Sequence, residues 1–149
     1  MPTIQEYIAA NEPRVLEELF SLIRIPSISA HPERKGDIER CAVRWQELLT
    51  EAGADNVKVI PSEGNPFVYG EKIVDPSAPT VLVYGHYDVM PAEPLELWHS
   101  NPFEPEIRDG HIWARGADDD KGQSFTQVKA FEYLVKHDLL RHNVKFILE

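Results

Sequence analysis

The chain has 149 residues, 42% of them hydrophobic and 27% charged, with 15 basic against 25 acidic side chains and a formal net charge of −10. That length is enough for one domain with a real core, and the apolar content excludes a disordered chain. The acidic balance argues against nucleic acid or an anionic membrane as partner, and no apolar run approaches the roughly 18 residues of a bilayer span.

The first eight residues, Met1-Pro2-Thr3-Ile4-Gln5-Glu6-Tyr7-Ile8, lack the basic and apolar regions of a secretory signal. Cys41 is the only cysteine, so no intrachain disulfide can form, and a reducing cytoplasm is the expected compartment. Residues 3–24 carry Ile4, Ile8, Val15, Leu16, Leu19, Phe20, Leu22 and Ile23 at helical spacing. Pro13 is expected to kink that helix or to open a second one, and Pro26 to stop it. Residues 27–35 read as a loop. A second helix is expected over residues 37–52, with Gly53 as its C-terminal cap.

After Gly53 the period changes. Residues 57–60 and 67–70 are short, β-rich and bounded by Pro61 and Pro66. Thr80-Val81-Leu82-Val83-Tyr84 is a continuous apolar run, which predicts a strand buried on both faces of an α/β sheet. Residues 91–105 read as a long loop, Asp109-Gly110 as a turn, and residues 111–114 as a strand. Residues 124–140 repeat helical spacing, and residues 144–148 read as another buried strand. The order favours an α/β fold, a layered sheet with flanking helices.

Ligands of open α/β sheets gather beyond the carboxyl ends of the strands, and two polar clusters fall there. In Tyr84-Gly85-His86-Tyr87-Asp88, His86 and Asp88 are two apart and point the same way in extended chain. The pair can serve as a metal-binding imidazole with its orienting carboxylate. It can equally be a hydrogen-bonded strand-end histidine before a turn. In Arg115-Gly116-Ala117-Asp118-Asp119-Asp120-Lys121-Gly122, adjacent carboxylates repel by about 1 kcal/mol per pair at 4 Å in water. A buried run needs an offset: a cation, the N-terminus of the next helix, or Arg115 and Lys121. A divalent metal accounts for the whole arrangement, while a helix cap accounts for one or two of the acids. Trp45 and Trp113 are expected in the core, and Cys41 as a buried structural thiol. His31, His99, His111, His137 and His142 share no metal spacing and are expected at the surface or in loops.

Gly85-His86-Tyr87-Asp88-Val89-Met90-Pro91, Trp98-His99-Ser100-Asn101-Pro102-Phe103 and the Arg115–Gly122 run occur here in one order. Together with Leu22-Ile23-Arg24-Ile25-Pro26-Ser27-Ile28-Ser29, they resemble the M20 family of co-catalytic zinc peptidases, and most its dipeptidase, carnosinase-like branch. The resemblance implies that His86 ligates one zinc and that Asp88 orients it in a catalytic role. Counting back from Lys121-Gly122, it makes Asp119 the carboxylate that bridges two zinc ions, with the peptide bond after it cis. Manganese or cobalt can use similar ligands.

In that family a Glu-Glu pair follows the strand matching residues 144–149 and supplies the general base and a zinc ligand. Further ligands lie beyond an inserted lid and dimerisation domain. Residues 1–149 are accordingly expected to be the N-terminal part of a metallopeptidase catalytic domain without that lid, inactive alone and weak in zinc binding. The parent implied is a homodimer that hydrolyses dipeptides through a metal-activated water. An M20-type amidohydrolase acting on N-acyl amino acids and a non-catalytic α/β remnant are the alternative readings.

Overall fold

The computed structural model describes residues 2–149. Helix α1 (Ile4–Ile23) opens on a capping box in which the Thr3 hydroxyl accepts from Glu6 N (3.2 Å) and the Glu6 carboxylate accepts from Thr3 N (2.7 Å). The helix is a single element with Pro13 inside it, so the expected second start is not found. Pro13 is exposed, and the residues that hold the helix down, Leu19, Leu22 and Ile23, lie beyond it.

Helix α2 (Lys35–Glu51) buries Ile38, Cys41, Ala42, Trp45, Leu48 and Leu49. Its end is a Schellman motif: Gly53 at φ +98° donates its N–H to the Thr50 carbonyl, and Ala54 N donates to Leu49 O. Gly53 is therefore the cap that the sequence led us to expect.

Strands β1 (Asp55–Ile60), β2 (Phe67–Lys72) and β3 (Thr80–Gly85) follow. A short hairpin of β4 (Glu106–Arg108) and β5 (His111–Trp113) turns through Asp109 and Gly110 at φ 51° and 75°. Two successive positive φ values are the signature of a type I′ turn, whose twist matches paired strands. Helix α3 (Lys121–Lys136) then crosses over to strand β6 (Asn143–Leu148). The main sheet has the order β1-β2-β6-β3, antiparallel except for β3 with β6. This is the expected layered α/β architecture.

Every second residue of β6, Val144, Phe146 and Leu148, joins a core shared with Leu22 and Ile23 of α1, Trp45 and Leu48 of α2, and Phe125, Val128 and Phe131 of α3. Two expectations are corrected here. Strand β3 is not buried on both faces: it is an edge of the sheet among the described residues, and Leu82 is 60% exposed. Its unbroken apolar run marked a place in the sheet interior that β6 occupies instead. Trp113 is not in the core either; it lies exposed on the β4–β5 hairpin with the Arg108 guanidinium 4.7 Å from its ring centre.

Candidate metal centre

His86 follows the last residue of β3, and hydrogen bonds from Tyr87 N to Glu149 O (2.7 Å) and from Glu149 N to Gly85 O (3.1 Å) carry the β3–β6 pairing to this point. The site is thus at the carboxyl ends of two parallel strands. Gly85 lets α3 approach: a Cβ there would stand 1.9 Å from Ser124 Oγ and 2.7 Å from Asp120 Oδ2. In the space left by its missing side chain, Asp120 Oδ2 accepts from His86 N (3.0 Å) and from the Ser124 hydroxyl (2.6 Å). The backbone of the histidine is thereby tied to the start of α3.

Both ring nitrogens of His86 face carboxylates. Nδ1 lies 2.8 Å from Asp88 Oδ1 and 3.2 Å from the Asp88 carbonyl, while Nε2 lies 3.1 Å from Asp119 Oδ1. Asp88 Oδ2 in turn accepts from the Ser29 hydroxyl. Burial pulls the imidazole down, but the hydrogen bond and charge of Asp88 outweigh it and hold the ring above its ordinary value. The Asp119–Asp120 peptide is cis, as the resemblance led us to expect, and the Asp119 side chain is 77% exposed.

The chemistry of these atoms fits a cation. A neutral imidazole that donates Nδ1–H to Asp88 has only a lone pair at Nε2, and a lone pair facing a carboxylate oxygen is repulsive. Protonation or a metal ion relieves that repulsion. Two ligand atoms on a tetrahedral zinc, each about 2.0–2.1 Å from it, stand about 3.3 Å apart, close to the separation of Nε2 and Oδ1. Among the described residues, no group of three or more His, Cys, Asp and Glu side chains forms a metal cluster, so His86 and Asp119 offer a pair. A cleft of about 600 Å³ opens beside His86 and Asp88, lined also by Ser29, Asn65, Tyr84 and Glu149.

The basic residues of the second cluster do not offset its acids. Lys121 is fully buried and donates to the carbonyls of Leu22 (2.9 Å) and Ile25 (2.7 Å), at the end of α1. Arg115 donates to Pro91 O (3.0 Å) and lies over the Trp98 ring. Asp118 and Asp119 face solvent instead, where their mutual repulsion is screened. Asp120 occupies the N-cap of α3 but makes no side-chain cap bond, because His86 N and Ser124 take its carboxylate. The glycines frame a tight turn: Gly116 has φ +80°, and a Cβ on Gly122 would stand 1.9 Å from Ala117 O. Ser29 and Ser124 carry no spacing signal: the partner of Ser29 lies 59 residues further on, and Ser124 meets Asp120 in the space left by Gly85. Asp120 stands in the acidic run, but its bond to the His86 backbone spans 34 residues.

Residues 82–149 match the model of peptidase family M20/M25/M40. The chain is 30% identical over 142 residues to a cysteinylglycine-S-conjugate dipeptidase of Corynebacterium striatum, an alignment covering 95% of this chain and 31% of that protein. It is 36% identical over 115 residues to a succinyl-diaminopimelate desuccinylase of Paraburkholderia xenovorans, covering 75% of this chain and 30% of that protein. The structure of human carnosine dipeptidase 1 aligns with a TM-score of 0.87 at 27% identity, over 99% of this chain and 35% of that one. The chain spans about a third or less of the length of the curated relatives it matches.

Proposed function

The chain belongs to peptidase family M20/M25/M40, and on that premise we propose that residues 1–149 form the N-terminal part of the catalytic domain of a metal-dependent dipeptidase. His86 would hold the metal through Nε2 and Asp119 through its carboxylate, while Asp88 would orient the imidazole. One observation carries this reading: His86 is fixed at Nδ1 by Asp88 while its Nε2 faces Asp119 Oδ1 at 3.1 Å, at the carboxyl ends of β3 and β6.

Asp88 holds the ring proton at Nδ1 and so keeps Nε2 available as a donor atom. Asp120 restrains the histidine backbone from the other side. Zinc bound here supplies Lewis acidity and a water of lowered pKa, and manganese or cobalt can stand in with similar ligands. The same reading gives a dipeptide as substrate, a homodimeric parent enzyme and the cytoplasm as its compartment. On its own, the 149-residue chain offers two protein donors where a closed tetrahedral site takes four. It is therefore expected to hold zinc weakly and to hydrolyse no dipeptide, which micromolar zinc binding with turnover by the isolated chain would contradict.

The test is a substrate panel on the full-length protein that carries these residues, dipeptides beside N-succinyl and N-acyl amino acids, before and after chelation. Dipeptide turnover should vanish with chelator and return with Zn²⁺, Mn²⁺ or Co²⁺. His86→Ala and Asp119→Ala should each lower it by about 10²-fold or more. Undiminished turnover in chelator, or in both variants, refutes the assignment. A second reading, amidohydrolysis of N-acyl amino acids, draws on the 36% identity to the desuccinylase; turnover of the acyl substrates alone would select it.

A further inference from the structure

Asp88 has two carboxylate oxygens, and only one of them faces His86. Its side chain is partly open to solvent, so a single hydrogen bond from the ring does not stop it from rotating or exchanging partners with water. The other oxygen, Oδ2, is held by the hydroxyl of Ser29, which lies far upstream in the segment that leaves α1. That segment is itself strapped down along its length. Ile28 forms a parallel bridge with Val89, Val89 N donates to Ser27 O (2.9 Å), and the fully buried Ser27 donates its hydroxyl to Tyr87 O (2.6 Å). At its start, the Lys121 ammonium grips the carbonyls of Leu22 and Ile25. The residues flanking Asp88 on both sides are thus paired with residues 27 and 28, which carry Ser29 to its carboxylate. Lys121, two residues beyond Asp119, ties the same segment to the turn that presents Asp119.

We propose that Ser29 is a positioning residue for the metal centre: by engaging Asp88 Oδ2 it fixes the carboxylate so that Oδ1 holds the His86 proton at Nδ1, leaving Nε2 free for the metal. The strap from residue 25 to residue 29 is the arm that delivers it. This rests on the reading of His86 as a ligand, but its first consequence, the tautomer of a ring in the metal-free chain, does not.

The test uses the 149-residue chain with ¹⁵N-labelled histidine, the His86 signals being assigned by their loss in His86→Gln. At a pH where the ring is neutral, the wild-type shifts should report the proton on Nδ1. Ser29→Ala should move them toward the average of two exchanging tautomers, and Ser29→Thr, which keeps a hydroxyl, should restore them. In the full-length protein, the same Ser29→Ala change should weaken Zn²⁺ binding by about tenfold, at the low end of the effect of a direct partner of a ligand. Matched thermal midpoints of the three chains separate positioning from stability, and Ser29 is exposed, so each should fold. Unchanged shifts in Ser29→Ala, or a threonine variant that behaves like the alanine one, overturn the proposal. A tautomer that depends on Ser29 in a protein with no affinity for Zn²⁺ upholds the positioning role and refutes the metal reading instead.

Discussion

Glu132 is the buried hub of the contact between α1 and α3, with its side chain 1% exposed. It accepts from Arg14 Nη2 (2.7 Å), Lys136 Nζ (2.6 Å) and Tyr7 OH (2.7 Å), and from Lys129, whose side chain is 12% exposed. Burial pushes this carboxyl up, but the hydrogen bonds from Arg14, Lys129, Lys136 and Tyr7 outweigh it and hold the group far below the usual carboxylate range. Glu132→Gln keeps the shape and removes the charge. Removing one partner of a buried ion pair costs about 3–5 kcal/mol. Here Arg14 and Lys136 reach solvent, and Glu18 still pairs with Arg14 and Lys129, so the loss should be smaller, about 2–3 kcal/mol. At 2–4 °C per kcal/mol for a chain of this size, Tm should fall by about 4–12 °C at pH 7.

The pH dependence follows from the sign of the shift. A carboxyl depressed in the folded state contributes fully above its unfolded value, about 4.3, and loses about 1.4 kcal/mol per pH unit as the pH falls below that toward the folded value. The gap in Tm between wild type and Glu132→Gln, followed by circular dichroism at pH 7, 5, 4 and 3, should therefore hold steady down to about pH 5 and then close. Equal melting at pH 7, or a gap as wide at pH 3 as at pH 7, refutes this account of the network.

Lys121→Met should destabilise the chain by about 1–3 kcal/mol for each carbonyl, of Leu22 and Ile25, that loses its donor without access to water, as denaturant melts would register. Gly122→Ala should cost about 1–3 kcal/mol by overpacking, because the new Cβ meets a backbone oxygen that cannot rotate away; a Tm within a degree of wild type would exclude the clash. Cys41 is fully buried, and burial pushes its thiol up, so an aromatic disulfide reagent should label it only at the rate of unfolding. Rapid labelling under native conditions would contradict that burial.

The elements that depend on local pattern were legible in the sequence. Gly53 at the end of α2, the Asp109-Gly110 turn and the apolar stripe through Cys41, Trp45 and Leu48 each have a cause within a few residues. What was misread depends on distant neighbours. Val81-Leu82-Val83-Tyr84 has the composition of an interior strand, but its place is decided by where β6 inserts. Lys121 beside three aspartates was one of several offsets that the acidic run allowed, yet its long side chain runs under the turn to carbonyls about a hundred residues earlier in the chain. Trp113 carries the apolar mark of a core residue, and its stacking on Arg108 is set by the hairpin. At the candidate site, the relation of His86 to Asp88 could be read from their spacing, whereas the Ser29 contact depends on a parallel bridge between segments about sixty residues apart.

The position of β6 between β2 and β3 also bears on how the chain is made. A ribosome delivers β1 and β2 as a ready hairpin, but β3 emerges with no strand to pair with, since Thr80 waits for Asn143 and Val81 for Val144. At about 5–20 residues per second, that interval lasts several seconds. Through it, the backbone N–H and C=O groups of β3 stay without a strand partner, and β6, the last of the described strands to arrive, is the one that joins the two halves of the sheet.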